Sequence, residues 1–512
     1  MRKFVLFLCA ALLGLASGTA AGQMADRSHG DHHDMAGDKL GEIVFPNSGN
    51  KAAQAPFLRG VKLLHNFEYG DAEESFQAAQ KADPGFALAY WGEAMAHNYT
   101  LWAEQHPVLA RKVLNKLGST PEARAAKAGT AREKMYLAAV EALYGPGTKF
   151  ERDALYADKM DALAKAFPGD VEAQTFDALA TLGRSHGTRD EVNYLKAAAI
   201  LETLFPTHQH HPGVVHYMIH AYDDPAHAKL GLKAARLYDK IAPESPHALH
   251  MTSHIFLALG MWPEAVAANQ RSLDRANEMM GIHHMSMVCG HGPDWLVYAK
   301  LQEGTDPAAD IERCRKAALD PAAMAKDQTV IGGEETDVSS YADMLVRRGV
   351  ETGNWGAPLS LPAGHFELAR FTLAYGHMVA ARHDAAGAKE AVAQMRASRQ
   401  AIADALKKEL PDEDQLLPWL DRGIAQGEAI EALASGDRDG GLAKLRAAAE
   451  AEQALPVAFG PPLVQKLGWE LLGDELLADG KKAEATAAYR HAVQMAPGRR
   501  IATMGLKAAT GA

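Results

Sequence analysis

What most constrains this 512-residue chain is a spacing that recurs at both of its ends. Near the C-terminus Trp469, Leu472, Gly473, Leu476, Ala485, Tyr489, Ala492 and Pro497 stand at positions 4, 7, 8, 11, 20, 24, 27 and 32 of a 34-residue unit. Near the N-terminus Gly60, Leu63, Ala72, Phe76, Ala79 and Pro84 fall at positions 8, 11, 20, 24, 27 and 32 of another. Such a unit describes two helices. Its small residues let them approach closely, its large ones fill the space between them, and its proline ends the second. No stretch shows the sustained apolar/polar alternation of half-buried strands, so the expectation is an all-α solenoid.

The pattern resembles the tetratricopeptide repeat, which implies a stack of helical hairpins. Pro168, Pro206 and Pro243 each close a helical stretch and anchor weaker units, extending the resemblance over most of residues 51–510. Three phrases are similar to those of a group of bacterial tetratricopeptide proteins, exported or cytosolic: residues 211–223 and 246–256, both histidine-rich, and Phe-Gly-Pro-Pro at 459–462. That likeness supplies a fold and hardly a function. Residues 23–50, rich in Gly, Asp and His, read as a flexible lead-in. Residues 327–362 carry Gly332, Gly333, Gly353, Gly356, Pro358 and Pro362 and read as a joint between an N-terminal solenoid (51–326) and a C-terminal one (363–512). Residues 455–462 mark a second break.

Residues 1–22 have the pattern of a signal peptide: basic Arg2 and Lys3, an apolar run from Phe4 to Ala16, and small residues Thr19, Ala20 and Ala21 before a cut. The expectation is an exported protein, periplasmic or secreted. Cys9 lacks the preceding small residue of a lipoprotein signal, and no later apolar run is long enough to span a membrane. With 53 Lys+Arg against 64 Asp+Glu, the net charge of -11 has the wrong sign for coating nucleic acid or anionic lipid. Beyond the leader only Cys289 and Cys314 remain. They could pair in an oxidising compartment, but two cysteines are no disulfide framework.

Twelve of the 23 histidines lie between His208 and His291, where a proportional share would be about 4. Their register is informative. Aligned on Pro243, His216 and His220 take positions 5 and 9, with Asp223 and Asp224 at 12 and 13. Aligned on Gly260 and Ala265, His247, His250 and His254 take positions 2, 5 and 9 of the next unit. Gly304 places His291, Asp294 and Tyr298 at the same three positions of the one after. In the tetratricopeptide family these positions of the first helix face the concave groove, so the resemblance implies one wall carrying all ten residues. Within a helix the i, i+3 and i+4 spacings stack side chains on one face, and neighbouring helices are close enough for opposed imidazoles to share an ion.

His216, His220, His247, His250, His254, His291, Asp223 and Asp294 are therefore candidate metal ligands, with Tyr298 and Asp224 lining the groove. Copper and zinc both suit imidazole; His283, His284, Met285, Met287 and Cys289 tilt the choice slightly towards copper. The tract His29 to Met35 could also scavenge ions, or be a solvated tail. Two other readings compete. The array could be a polar structural layer, or the groove could hold a peptide or protein partner, the chain acting as an interaction scaffold. A metal-dependent enzyme ranks third, because no nucleophile with an adjacent base, no covalent haem motif, no phosphate-cradling loop and no Gly-x-Ser-x-Gly elbow is present.

Overall fold

The computed structural model describes residues 39–511 apart from 103, 187–188, 280–287, 327–335, 362–364, 410–415 and 458. The expected signal peptide, the His29 to Met35 tract and the His283 to Met287 cluster fall outside these residues.

Both units read from the sequence fold as helical pairs: Lys51–His65 with Tyr69–Ala82, and Gly468–Ala478 with Lys482–Met495. In each, the glycine at position 8 meets the aromatic at position 24. A Cβ on Gly60 would lie 2.8 Å from the Phe76 ring, and one on Gly473 2.8 Å from the Tyr489 ring. The helix axes can approach only where nothing larger than hydrogen intervenes. Helices end at Ala166, Leu204 and Ile241, each two residues before the anchoring prolines Pro168, Pro206 and Pro243. Among the described residues there are 24 α-helices, packed chiefly on their sequence neighbours, and the sole strand pairing is the two-residue ladder of Asn98–Tyr99 with Glu104–Gln105. The architecture is an all-α solenoid of helical hairpins.

Residues 327–362 hold more than a joint. They include the helix Asp337–Thr352, which packs against His291–Glu303, Ala308–Ala318 and Glu367–Ala380. The C-terminal end of the solenoid also returns to its middle. A Cβ on Gly260 (φ +68) would lie 2.7 Å from the Pro497 carbonyl, and the Trp262 indole N–H donates to the Gly498 carbonyl at 2.9 Å. Arg499, wholly buried, donates to Glu470 (2.6 Å) and to the Tyr298 hydroxyl (3.2 Å), and pairs with Glu351 (3.2 Å). Charges this deep persist only when paired. Cys289 and Cys314 form a disulfide. No described helix is long and apolar enough to cross a membrane.

Candidate metal centre

Two first helices of successive units carry the site, Pro212–Ala221 and Pro246–Ala258. Each begins with proline at its first turn, and each is capped by a side chain that accepts a backbone N–H, His211 from Val214 and Ser245 from Ala248. The i, i+4 spacing puts His216 above His220 on one helix and His250 above His254 on the other. His291 is the first residue of the helix His291–Glu303. The structure gathers the six histidines into two groups, His216–His220–His247 and His250–His254–His291, within each of which one ring nitrogen per residue lies within 4.8 Å of the others. The six histidines that the register placed along one wall thus divide into two triads. They adjoin, with ring centroids 5.7 Å apart for His220 and His254 and 6.3 Å for His247 and His250.

The hydrogen bonds fix which nitrogen of several rings is free. His254 Nδ1–H donates to Asp223 Oδ2 at 2.6 Å. His250 Nδ1–H donates to Asn269 Oδ1 at 2.6 Å. The Asn269 amide cannot be reversed without loss, because its Nδ2 donates to the Ala265 carbonyl (2.9 Å) and its Oδ1 also accepts from Ser253 (3.4 Å). Whenever both rings are neutral, their Nε2 atoms are left as acceptors, and they face each other at 3.1 Å. In the other triad His216 Nδ1–H donates to the His65 carbonyl at 2.6 Å, so its Nε2 presents one lone pair to His220 Nε2 (3.0 Å) and His247 Nε2 (3.2 Å). A tetrahedral ion holding nitrogens at about 2.0–2.1 Å spaces them about 3.3 Å apart, so these separations suit ligands of one ion.

Burial, and then the neighbouring histidines, hold His216, His220, His247 and His250 well below the usual imidazole range. At neutral pH these four rings are uncharged and their lone pairs are available. Aromatic rings wall both triads. Phe67, in a left-handed conformation (φ +58) that costs a non-glycine residue about 1–3 kcal/mol, sets its ring 4.4 Å from that of His216. Trp295 lies 4.3, 5.0 and 5.1 Å from the rings of His254, His291 and His250.

The expected concave wall is therefore not an open surface. His216, His220, His250, His254, Asp223, Asp224, Asp294 and Tyr298 are buried, and His247 and His291 are half-buried. The covering comes from the chain itself, through Phe67 at the first helical corner and through Gly460, which rests on Trp295. Asp223 supports His254 from behind and belongs to neither triad. Asp224 binds Arg189 and His227. Tyr298 takes its hydrogen bond from Arg499, and both Asp224 and Tyr298 line a cavity beside the site. Asp294 joins neither triad.

Sequence reasoning missed a third group, His65, Glu172 and His211, all buried. His65 Nε2–H donates to Glu172 (2.8 Å) and its Nδ1 accepts from Tyr217 (2.9 Å); His211 Nε2–H donates to the other Glu172 oxygen (3.1 Å) while its Nδ1 caps Val214. Burial pushes the Glu172 carboxyl up, but His211 and His65 outweigh it and hold the group at about 2. The one available signal was His65 at position 13 of the first unit, a groove position by the same alignment. By residue type and spacing each of the three groups could hold a metal ion, but in the third both ring nitrogens of His65 and of His211 are already committed to protein partners.

No family model matches the chain, and no curated protein matches it. Solved structures aligned with it include the TPR domain of P58(IPK), 13% identical, covering 90% of this chain and 97% of that one, with a TM-score of 0.21. Yeast Tom70 is 11% identical over 91% and 96% of the two chains, with a TM-score of 0.19. A monomeric mutant of IFIT1 with Gppp-AAAA is 12% identical over 88% and 95%, with a TM-score of 0.37. Scores this low carry no argument about the site, which rests on its own geometry.

Proposed function

We propose that this chain is an exported helical-repeat protein that holds a transition metal ion, copper or zinc, on its central histidines, with His250, His254 and His291 as the principal set and His216, His220 and His247 as the second. One observation carries the reading. Two buried imidazoles, each committed through Nδ1 to an acceptor, turn their Nε2 lone pairs on each other at 3.1 Å. That contact is repulsive unless a cation or a proton lies between them. Burial disfavours the proton on His250, whereas a soft or borderline ion gains two neutral imidazoles and a third from His291. Asp223 then acts as the outer partner that orients a ligating histidine and raises its basicity. The disulfide supports export, since such bonds persist in oxidising compartments. A peptide in the same groove would have to displace Phe67 and the chain at Gly460.

The test compares the full chain with a His250→Gln/His254→Gln variant, both carrying the N-terminal histidine tract so that its binding cancels. Elemental analysis without an affinity tag should find at least one more copper or zinc ion per wild-type chain. Calorimetric titration should show a site in the wild type that the variant lacks. Binding no tighter than ~1 mM, about 4.1 kcal/mol, would refute the metal reading and leave a shared proton between the rings.

A further inference from the structure

We propose that the two triads act as one paired centre, which takes two monovalent copper ions together but resists a second divalent ion. The inference rests on the metal reading above and adds the charge and number of the ions.

Each triad is made in the same way. A first helix gives two histidines four residues apart, and the N-terminal part of the next first helix gives the third: His216 and His220 with His247, then His250 and His254 with His291. His247 and His250 both stand on Pro246–Ala258, so the two sets have a helix in common and cannot separate while it is folded. Their rings meet at two places, His220 with His254 edge to face at 5.7 Å and His247 with His250 at 6.3 Å. Aromatic rings with centroids this close are in direct contact. An ion on one set is therefore the neighbour of an ion on the other.

Charge then decides which ions can be neighbours. Neither triad includes a carboxylate or a thiolate, so an ion on neutral imidazoles keeps its whole charge. Its surroundings are largely apolar, with Phe67 against His216, Trp102 beside His247 and Trp295 against His254. Repulsion follows the product of the charges, so at one separation a divalent pair repels about four times as strongly as a monovalent pair. The cost of burying each ion rises with the square of its charge as well. Copper accepts imidazole and has a stable monovalent state, whereas zinc has no redox chemistry. A second divalent ion enters only with an anion of its own, such as the hydroxide left when its bound water loses a proton.

The two sets also differ in what stands behind them. The Asp223 carboxylate accepts from His254 at 2.6 Å and sets a negative charge one ring away from the second triad. His216 rests instead on the neutral His65 carbonyl at 2.6 Å, and Glu68 is engaged by the Ser245 hydroxyl (2.6 Å) and the His247 backbone N–H (3.2 Å). A lone divalent ion goes to the His250 set, and the His216 set is the one that repulsion leaves empty.

The experiment follows each set separately in the full chain. His247 belongs to one triad and His291 to the other, and both are half-buried, so an imidazole-modifying reagent such as diethyl pyrocarbonate reaches them. Protection of each is read by peptide mass spectrometry while chelator buffers raise free cuprous ion, without oxygen, or free zinc. Ions held by the N-terminal histidine tract do not enter this reading. His291 should be protected first by zinc, and the interval between the His291 and His247 midpoints should be at least about a hundredfold wider for zinc than for cuprous ion. In His247→Gln, checked for an unchanged helical spectrum, the chain should hold one cuprous ion fewer while both metals still protect His291. Equal intervals for the two metals, or a His247→Gln chain that keeps every cuprous ion, would overturn the pairing and leave the metal reading standing. Protection of neither histidine by either metal would overturn both.

Discussion

At Glu172 two histidines each turn an N–H towards a carboxylate and an acceptor nitrogen towards a donor, so every polar group in the cluster has its complement. At His250 and His254 the same side chains, equally deep, spend their N–H groups on Asn269 and Asp223 and are left with acceptor against acceptor. The first arrangement closes on itself and bridges the helices Lys51–His65, Val171–Gly183 and Pro212–Ala221. The second is complete only when something positive enters. Clustered histidines are thus weak evidence for a metal until the direction of each hydrogen bond is known.

Substitutions can break that contrast, starting with the largest expected effect. Glu172→Gln should remove a charge that two N–H groups point at and destabilise the fold by about 3 kcal/mol, read by urea denaturation, with bound metal per folded chain unchanged. Because the folded-state acidity of Glu172 is held at about 2 against an ordinary 4.5, its contribution is present above pH 4.5 and lost as pH falls towards 2. The variant should lack that acid-side slope. If it instead lost an ion, the two clusters would have exchanged roles. Asp223→Asn keeps an acceptor for His254 and removes the charge, so metal affinity should fall about 10–100-fold with little change in apo stability. An unaltered affinity would take Asp223 out of the site. Tyr217→Phe, which costs His65 one hydrogen bond, should lower stability by about 1 kcal/mol and leave ion content alone, a fine check that the Glu172 cluster works only through packing.

The helical hairpins were legible because position 8 glycine and position 24 aromatic form a local contact within one unit, as Gly60 with Phe76 and Gly473 with Tyr489 show. The histidine register was legible for the same reason, since helices one repeat apart are neighbours. Grouping was not. Whether His247 joins His216 or His250 depends on how far one helix slides past the next, which a 34-residue period leaves free. The covering of the groove was hidden too, because Phe67 and Gly460 reach the histidines from more than 140 residues before and 160 after them. Glu172 was missed because its partners lie 107 and 39 residues away, on helices that no repeat alignment pairs.

The disulfide gives the centre a schedule. Cys289 precedes His291 by two residues, and its bond to Cys314 ties the start of the 291–303 helix to its neighbour. Cross-linking residues 25 apart removes about 3 kcal/mol of chain freedom from the unfolded state. In a reduced chain His250 and His254 still face each other from within one helix, but the third imidazole has lost its tether. If the triad holds an ion, sulfur oxidation comes first and loading second, so a newly made chain would travel empty and fill only where its cysteines can join.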